Sequence, residues 1–437
     1  MNREIHIAGG GLAGCEAAWQ IARAGGRAVL HEMRPERQTP AHKTARFAEL
    51  VCSNSLKTEQ ENAAPWLLKE ELRRLGSLLM ECAAKTRVPA GHALTVDRDL
   101  FTGEVTRAIE SDPAIEISRD EVVSLTDDRT WIIASGPLTS DALAEEIARI
   151  TGSQRLFFYD SISPIVDAET IDLSVAFRAS RYGKSLDGTD DYLNCPFDRA
   201  QYEAFVDALL AAQSVPAHIE QDNARYFEAC LPIEEIARRG RDTLRFGPMK
   251  PMGLTDPRTG RRPYAVVQLR AENARAGSYN LVGFQNHMRF GEQARVLRMI
   301  PGLEHAEFLR FGQVHRNTYI NAPALLDATL RLRMSPNIFF AGQISGVEGY
   351  VESIATGLVA GRGAVAGDGV AAFPRQTAIG SLCAYVSGAD PKNYQPANIT
   401  FDLLPKLENP PRDRKVRQSE VCRRALAALD QFLYAHV

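Results

Sequence analysis

The N-terminus carries a glycine-rich turn between a strand pattern and a helix pattern. Residues 4–8 alternate in polarity as a β-strand does, and they lead directly into Gly9-Gly10-Gly11-Leu12-Ala13-Gly14. Apolar residues at helical spacing follow over residues 12–24. At this spacing the first glycine permits a tight turn, the second lets a pyrophosphate approach the backbone, and the third packs helix against strand. The segment predicts a Rossmann-type dinucleotide site.

Two later segments extend this site and favour FAD over NAD. A second strand pattern ends at Glu32, whose carboxylate is expected to accept hydrogen bonds from a ribose diol. Residues 337–342 repeat the pattern of an apolar strand that ends in glycine, here Gly342, followed by Gln343. Flavoproteins of the glutathione-reductase type use such a segment for FAD, commonly with Asp where Gln343 stands. Gly349 and Tyr350 then begin a helix whose N-terminal amides are expected to face the cofactor.

The order of these patterns predicts an α/β protein with a discontinuous Rossmann-type, glutathione-reductase-like FAD-binding domain. We assign residues 1–164 and 314–437 to that domain, and residues 165–313 to an inserted α+β domain that binds tRNA or another substrate. Residues 131–136 are expected to add a strand to the first sheet. Residues 36–95, which are turn-rich around Cys52, are expected to form a mobile excursion with a helix over 65–75.

Composition excludes several classes of protein. The net charge is −3, and no run of apolar residues is long enough to cross a membrane, so we expect a cytoplasmic protein with no membrane partner. The seven cysteines are scattered without a CxxC pair or a His/Cys cluster. We therefore expect reduced thiols, no disulfide framework and no metal site, with one or two cysteines available as nucleophiles.

Positive charge is concentrated in one stretch of the sequence. Residues 238–275 contain ten Lys and Arg residues against three Asp and Glu residues. Such a local excess can hold a polyanion by releasing its counterions. The alternative is a solvated surface whose arginines are ion-paired.

A set of motifs is more specific than these generic patterns. They are residues 9–18 (GGGLAGCEAA), 32–35 (EMRP), 51–55 (VCSNS), 134–140 (ASGPLTS), 191–196 (DYLNCP), 227–234 (FEACLPIE), 245–251 (RFGPMKP), 315–321 (HRNTYIN) and 342–353 (GQISGVEGYVES). Together they closely resemble the TrmFO family of bacterial folate- and FAD-dependent tRNA (uracil-5-)-methyltransferases, over residues 4 to about 365. The resemblance implies methylation of a T-loop uridine at its 5-carbon, with methylenetetrahydrofolate as carbon donor and FAD, reduced by NAD(P)H, as carrier and reductant.

The resemblance also implies roles for particular residues. It makes Cys230 the nucleophile toward the pyrimidine and Cys52 its partner in proton removal. A thiolate that adds to the 6-carbon of uracil makes the 5-carbon nucleophilic, and a second base must later take the proton from that carbon. For stacking on the folate we favour His287, with His315 second.

The tRNA is expected to bind along the basic stretch. Arg238 and Arg239 would contact its phosphates, and Tyr264 and Phe246 would stack on unpaired bases. No obligatory protein partner is inferred.

Three other functions remain open on sequence grounds. One is a GidA/MnmG-type tRNA uridine modifier, another is an FAD oxidoreductase that acts on a small metabolite, and the third is a tRNA-binding protein that keeps FAD as a structural group. The motif spellings and the chain length favour the methyltransferase over the first.

Overall fold

The structure, a computed structural model, describes residues 4–39, 41–152, 156–161, 163–215, 231–312 and 314–436. The strands in this part are β1 (Glu4–Ala8), β2 (Arg27–His31), β3 (Ser55–Thr58), β4 (Arg87–Val88), β5 (Ala93–Val96), β6 (Ile115–Ser118), β7 (Thr130–Ile133), β8 (Leu156–Ser161), β9 (Ile165–Asp167), β10 (Phe177–Arg178), β11 (Tyr192–Phe197), β12 (Ala265–Ala271), β13 (Ser278–Leu281), β14 (Phe308–Arg310), β15 (Val314–Tyr319) and β16 (Ile338–Phe340). The helices are α1 (Leu12–Arg23), α2 (Ala64–Arg74), α3 (Leu78–Lys85), α4 (Arg98–Ser111), α5 (Asp141–Thr151), α6 (Arg199–Ala211), α7 (Ile233–Arg238), α8 (Thr243–Phe246), α9 (Phe290–Leu297), α10 (Ala322–Leu325), α11 (Tyr350–Ala366), α12 (Ala378–Gly388) and α13 (Arg414–His436).

The nucleotide-binding part is built on a five-stranded parallel sheet with the strand order β16-β7-β1-β2-β6. Strand β1 follows the N-terminus and its last four residues are buried, as the sequence pattern predicts. Strand β16 comes from residues more than 300 positions later and pairs with β7. This arrangement confirms the predicted Rossmann-type α/β fold, its discontinuity, and the return of residues 131–136 to the first sheet.

Helices α1 and α11 lie against each other with almost no side chains between them. A Cβ added to Gly357 would lie 2.3 Å from the carbonyl oxygen of Ala13, and one added to Gly361 would lie 2.7 Å from that of Ala17. Helix α11 is buried along most of its length, including Val351, Ile354 and Leu358. The two glycines therefore let the backbones of the two helices pack in direct contact, which joins the two ends of the discontinuous fold.

A second, six-stranded sheet has the order β10-β11-β12-β13-β9-β14, with antiparallel pairs throughout. Its own hydrophobic core includes Phe197, Phe205 and Phe284. Strands β8 and β15, which lie just before and just after this part of the chain, pair with each other. Both sheets agree with the α/β fold with an inserted α+β unit, while the exact boundaries at 164 and 313 stay a prediction.

Residues 36–95 contain more regular structure than the sequence suggests. Strands β3, β5 and β4 form a small sheet, and α2 and α3 pack beside it with buried residues such as Leu67, Leu72 and Leu79. Helix α2 matches the helix predicted over 65–75. The small sheet was not predicted, because its strands are only two to four residues long.

In the part of the chain that the structure describes, no helix is both long enough and apolar enough to cross a membrane.

The contact between α1 and α11 can be tested with two glycine substitutions in helices. Gly357→Ala should destabilise the protein by about 1–3 kcal/mol, because the new methyl group overpacks against the backbone of Ala13. Gly291→Ala on α9 is the matched control, because nothing lies within 4 Å of the added carbon, and it should be neutral or slightly stabilising. Thermal unfolding followed by calorimetry gives both values. Equal effects of the two substitutions would contradict the proposed packing.

Candidate functional site

A deep cleft opens at the carboxyl ends of β1, β2, β7 and β16. Its volume is about 1010 Å³, including its open mouth, which suits a dinucleotide cofactor. The glycine loop forms one wall, and residues 134–140 and Gly342 form others. Ligands of open parallel sheets bind at this edge, where the strands end.

The glycine loop is shaped by close backbone contacts. Gly9 has a φ of 110°, and a Cβ there would lie 2.6 Å from the carbonyl oxygen of Ala134. A Cβ on Gly14 would lie 1.9 Å from the carbonyl oxygen of Gly9. No other residue type fits either place without moving the backbone. Around Gly11 there is no atom within 4 Å of an added Cβ, so this glycine leaves open space for a ligand.

Two helix N-termini converge on the cleft. Helix α1 begins after Gly11 and α11 begins after Gly349, and neither N-terminus has a hydrogen bond from a capping side chain. The first N–H groups of a helix carry partial positive charge and bind phosphate groups. The cleft therefore fits the pyrophosphate of FAD.

Glu32 is buried at the end of β2 and is fully engaged in hydrogen bonds. It accepts from the backbone N–H of Gly10 at 3.0 Å, and the Arg34 guanidinium donates to both of its carboxylate oxygens, at 2.9 and 3.0 Å. Burial raises the pKa of Glu32, but the hydrogen bonds and charge of Arg34 outweigh burial, so its pKa lies below the usual value. The side chain is an ionised acceptor on the cleft wall, and a ribose hydroxyl would share these acceptor positions.

Most of the predicted cofactor-binding residues come together in this cleft. Those that line it are Gly9, Gly10, Gly11, Leu12, Ala13, Glu32, Gly342, Gln343 and Tyr350. Gly14 and Gly349 lie behind the lining, where Gly14 allows the turn to close and Gly349 precedes α11 with a φ of 106°. The Gln343 side chain donates to Glu348 at 2.9 Å.

The Cys52 loop, residues 50–54, lies at the rim of the cleft. Val51 and Tyr350 both line the cleft. The hydroxyl oxygen of Tyr350 accepts hydrogen bonds from the backbone N–H groups of Cys52, at 2.8 Å, and Ser53, at 3.1 Å. One side chain thus lines the cofactor cleft and also holds the backbone of the Cys52 loop.

Three arginines, which we call the arginine cluster, surround the Cys52 loop: Arg98 from α4, Arg270 from β12 and Arg310 from β14. Arg98 and Arg310 donate to the carbonyl oxygen of Cys52, at 3.3 and 3.4 Å. Arg270 donates to the Ser53 hydroxyl at 2.9 Å. No motif in the sequence singled out these three residues as a group, because they reach the loop from three separate elements.

The other predicted catalytic and folate-binding residues lie elsewhere or outside the described ranges. Cys230 falls in 216–230, which the structure does not describe. His287 is buried, and its backbone N–H donates to Glu234 at 3.1 Å, next to the segment that follows Cys230. Burial lowers the pKa of His287, which favours the neutral ring. His315 lies on β15, with its backbone opposite Asp160. His287 is not among the residues that line the cleft.

The basic stretch does not form one continuous exposed surface. Arg270 is one of the ten cations of this stretch, but it is buried beside the Cys52 loop. Arg238 and Arg239 are exposed at the end of α7, and Arg238 forms an ion pair with Glu235. Arg270 therefore adds no charge to an exposed surface, because alternate residues of a strand point to opposite faces and Arg270 points inward.

A separate groove, the Phe246 groove, lies on the inserted part. Its volume is about 820 Å³ and its lining residues are Arg245, Phe246, Lys250, Pro251, Met252, Arg262, Pro263 and Tyr264. The Phe246 side chain is 80% exposed. The Arg245 guanidinium lies 3.6 Å from the centre of the Tyr264 ring and covers one of its faces. Phe246 is therefore better placed than Tyr264 to stack on a ligand.

Among the residues that the structure describes, no group of three or more His, Cys, Asp or Glu side chains is arranged to hold a metal ion.

Comparison with known proteins finds a matching family model and close relatives along the whole chain. Residues 4–367 match the family model described as glucose inhibited division protein A. Proteins named methylenetetrahydrofolate–tRNA-(uracil-5-)-methyltransferase TrmFO are 72% identical in Solibacter usitatus, over 100% of both chains, and 63% identical in Koribacter versatilis, over 99% of this chain and 98% of the relative. The protein of that name from Geobacter sulfurreducens is 56% identical, over 99% of each.

Solved structures show the same fold at much lower identity. Two crystal forms of GidA from Aquifex aeolicus match with TM-scores of 0.71 and 0.68, each at 15% identity. They cover 98% of this chain and 76% and 74% of the GidA chain. At this identity the likeness establishes the fold alone.

The tyrosine contact with the Cys52 loop gives a prediction. Tyr350→Phe should leave FAD bound but speed hydrogen exchange at the amides of Cys52 and Ser53 by about tenfold, because both lose their acceptor. Exchange measured by mass spectrometry on the peptide that contains residues 50–54 checks this. Tyr385→Phe, which removes a hydroxyl bonded to Gln395, is the control and should leave the loop unchanged. Unchanged exchange in Tyr350→Phe would refute the contact.

Proposed function

The chain belongs to the methylenetetrahydrofolate–tRNA-(uracil-5-)-methyltransferases, within the glucose inhibited division protein A family, and from this premise we propose how its residues carry out the reaction. The target that we propose is a T-loop uridine of tRNA, methylated at its 5-carbon. The observation that carries the assignment of the site is the Tyr350 contact, because it fixes the Cys52 loop beside the cofactor cleft.

The residues present fit FAD. The glycine loop leaves room for a pyrophosphate at Gly11, and the N-terminus of α11 offers further N–H groups. Glu32 is ionised and faces the cleft where the ribose would lie. When bound and reduced by NAD(P)H, FAD supplies the electrons and carries the one-carbon unit from methylenetetrahydrofolate.

The chemistry at the uracil ring needs two thiols in different roles. A thiolate adds to the 6-carbon, and the displaced electron pair makes the 5-carbon nucleophilic toward the one-carbon unit. Later a base removes the proton from the 5-carbon, the double bond between the 5- and 6-carbons re-forms, and the thiolate leaves. We assign the addition to Cys230 and the proton removal to Cys52. The fixed position of the Cys52 loop supports the second assignment.

The folate and the tRNA are assigned to the inserted part of the chain. We propose that His287 stacks on the pterin, since burial favours its neutral ring and its ring nitrogens lie 3.9 Å from carboxylate oxygens of Glu234 and Glu235, in the segment that follows Cys230. His315 is the second choice. For the tRNA we propose Arg238 and Arg239 at the end of α7 together with the Phe246 groove, where an exposed aromatic ring lies among cations.

The activity has a direct test. The purified protein, incubated with a tRNA transcript, methylenetetrahydrofolate and NAD(P)H, should produce ribothymidine that nucleoside analysis detects. Cys52→Ala should lower the rate by about a hundredfold or more while FAD stays bound, because the proton acceptor is removed. Cys422→Ala on α13 replaces another thiol and should leave the rate unchanged. No ribothymidine from the unmodified protein would refute the function, and unimpaired turnover by Cys52→Ala would refute the role of Cys52.

The tRNA surface is tested by the salt dependence of binding. The double variant Lys250→Gln, Arg262→Gln should bind tRNA more weakly and reduce the slope of log affinity against log salt by about 1 to 2, because two phosphate contacts are lost. Arg107→Gln with Arg149→Gln, both exposed and ion-paired on α4 and α5, is the control. Filter binding at several salt concentrations gives the slopes. Identical slopes for the two double variants would place the tRNA elsewhere.

A further inference from the structure

The arginine cluster has a net positive charge in the described part of the chain, because its three arginines are contacted there by one carboxylate. Arg98, Arg270 and Arg310 converge on one loop, and Glu272 is the carboxylate that contacts them, through Arg98. Glu272 is buried, and its second carboxylate oxygen has no hydrogen-bond partner in the described part. By formal count the cluster holds three positive charges and one negative charge.

Buried charge of one sign is costly unless an anion compensates it. Burial lowers the pKa of both Arg270 and Arg310, which shows that these two guanidiniums are poorly solvated. Burial also acts on Arg98, but Glu272 outweighs it and raises the pKa of Arg98. A further negative charge beside the Cys52 loop would therefore stabilise the cluster.

Cys52 itself is the group best placed to carry this negative charge. Arg98 and Arg310 donate to its carbonyl oxygen, and Arg270 binds the next side chain, Ser53. Cys52 therefore lies at the centre of the cluster, since two of the three guanidiniums bind its own carbonyl oxygen and the third binds the neighbouring residue. The Cys52 side chain is partly exposed, which leaves it open to a substrate.

We propose that the arginine cluster keeps Cys52 in the thiolate form in the FAD-bound enzyme, so that Cys52 is ready to accept a proton. The ionisation of Cys52 is independent of the proposed function, and only its role as proton acceptor rests on that function. The proton that leaves Cys52 on ionisation goes to solvent. In the reaction, the bond from the 5-carbon to its hydrogen breaks, a sulfur–hydrogen bond forms on Cys52, and the electron pair re-forms the ring double bond. A neutral thiol already carries a proton on its sulfur and is too weak a base to accept another.

In the described part of the chain, the titratable and charged groups that face Cys52 come from four elements and from the residue that follows one of them. Arg98 lies on α4, Arg270 on β12, Arg310 on β14 and Tyr350 on α11, and Glu272 directly follows β12. Burial raises the pKa of Tyr350, so its hydroxyl stays protonated and adds no negative charge. Strands β12 and β14 belong to the six-stranded sheet, and α4 and α11 are helices outside it. The three arginines are therefore positioning residues that act through Cys52.

The test measures how fast Cys52 reacts with iodoacetamide as the pH changes. Alkylation of the FAD-bound protein between about pH 5.5 and about pH 9 spans the range in which an ordinary thiol ionises. Mass spectrometry of the Cys52 peptide separates it from the other cysteines, of which Cys15, Cys82, Cys195, Cys383 and Cys422 are buried. Cys52 should react at the low end of this range at a rate close to its maximum.

Arg310→Gln is the informative variant, because Arg310 forms no ion pair with Glu272 and its loss leaves no buried carboxylate behind. It should slow alkylation of Cys52 near pH 6.5 by about tenfold, the change expected when one neighbouring charge is removed. Arg310→Lys keeps the charge and should restore most of the rate. Arg107→Gln, an exposed arginine on α4, should have no effect.

Glu272→Gln provides a test of opposite sign. Removing the carboxylate increases the net positive charge of the cluster, so alkylation near pH 6.5 should stay as fast as in the unmodified protein or become faster. General damage to the loop would instead change the reactivity of both variants in the same direction. FAD absorbance and thermal unfolding confirm that each variant is folded.

Two results would overturn the proposal: Cys52 of the unmodified protein reacting like an ordinary thiol, or Arg310→Gln and Glu272→Gln shifting reactivity in the same direction. The measurement needs no turnover. Ribothymidine formation by the same unmodified protein separates failure of this inference from failure of the methyltransferase assignment.

Discussion

The backbone contact between α1 and α11 determines where the functional groups of the molecule can lie. Gly357 and Gly361 lack the side-chain atoms that would hold the helices apart, so α11 rests on Ala13 and Ala17. The contact brings segments more than 300 residues apart into one cleft. The N-termini of both helices then open into the same space, each without a capping side chain. The helix propensity of each segment does not explain where α1 and α11 lie, because their placement depends on contact between residues that are far apart in the sequence.

The Cys52 loop lies where this cleft meets the inserted part of the chain. Tyr350, the first residue of α11, holds the backbone of the loop from the cleft side. Arg270 and Arg310, on strands of the second sheet, hold it from the other side. A loop fixed from two directions keeps a reactive side chain at a constant distance from its partners, at the expense of burying several charges. The inserted part thus contributes two of the three arginines that surround the Cys52 loop.

The sequence predicted the parts of this arrangement that depend on local patterns. Gly9, Gly11, Gly14 and Glu32 could be assigned from spacing, because a dinucleotide loop fixes the order of strand, turn and helix. The return of β16 to the first sheet followed from a second strand that ends in glycine. The small sheet of β3, β4 and β5 was missed, because strands this short have too few residues to show an alternating pattern.

The arginine cluster could not be found in this way, for a physical reason. Each of Arg98, Arg270 and Arg310 occurs in an ordinary local context: a helix start, a strand and a strand end. Arg270 even counted toward a surface patch, although its strand directs it inward. Electrostatic requirements depend on distances between groups in the folded chain, and no spacing rule in the sequence encodes them. The motif around Cys52 is therefore visible in the sequence, whereas the charges around it become visible only when α4 is brought against β12 and β14.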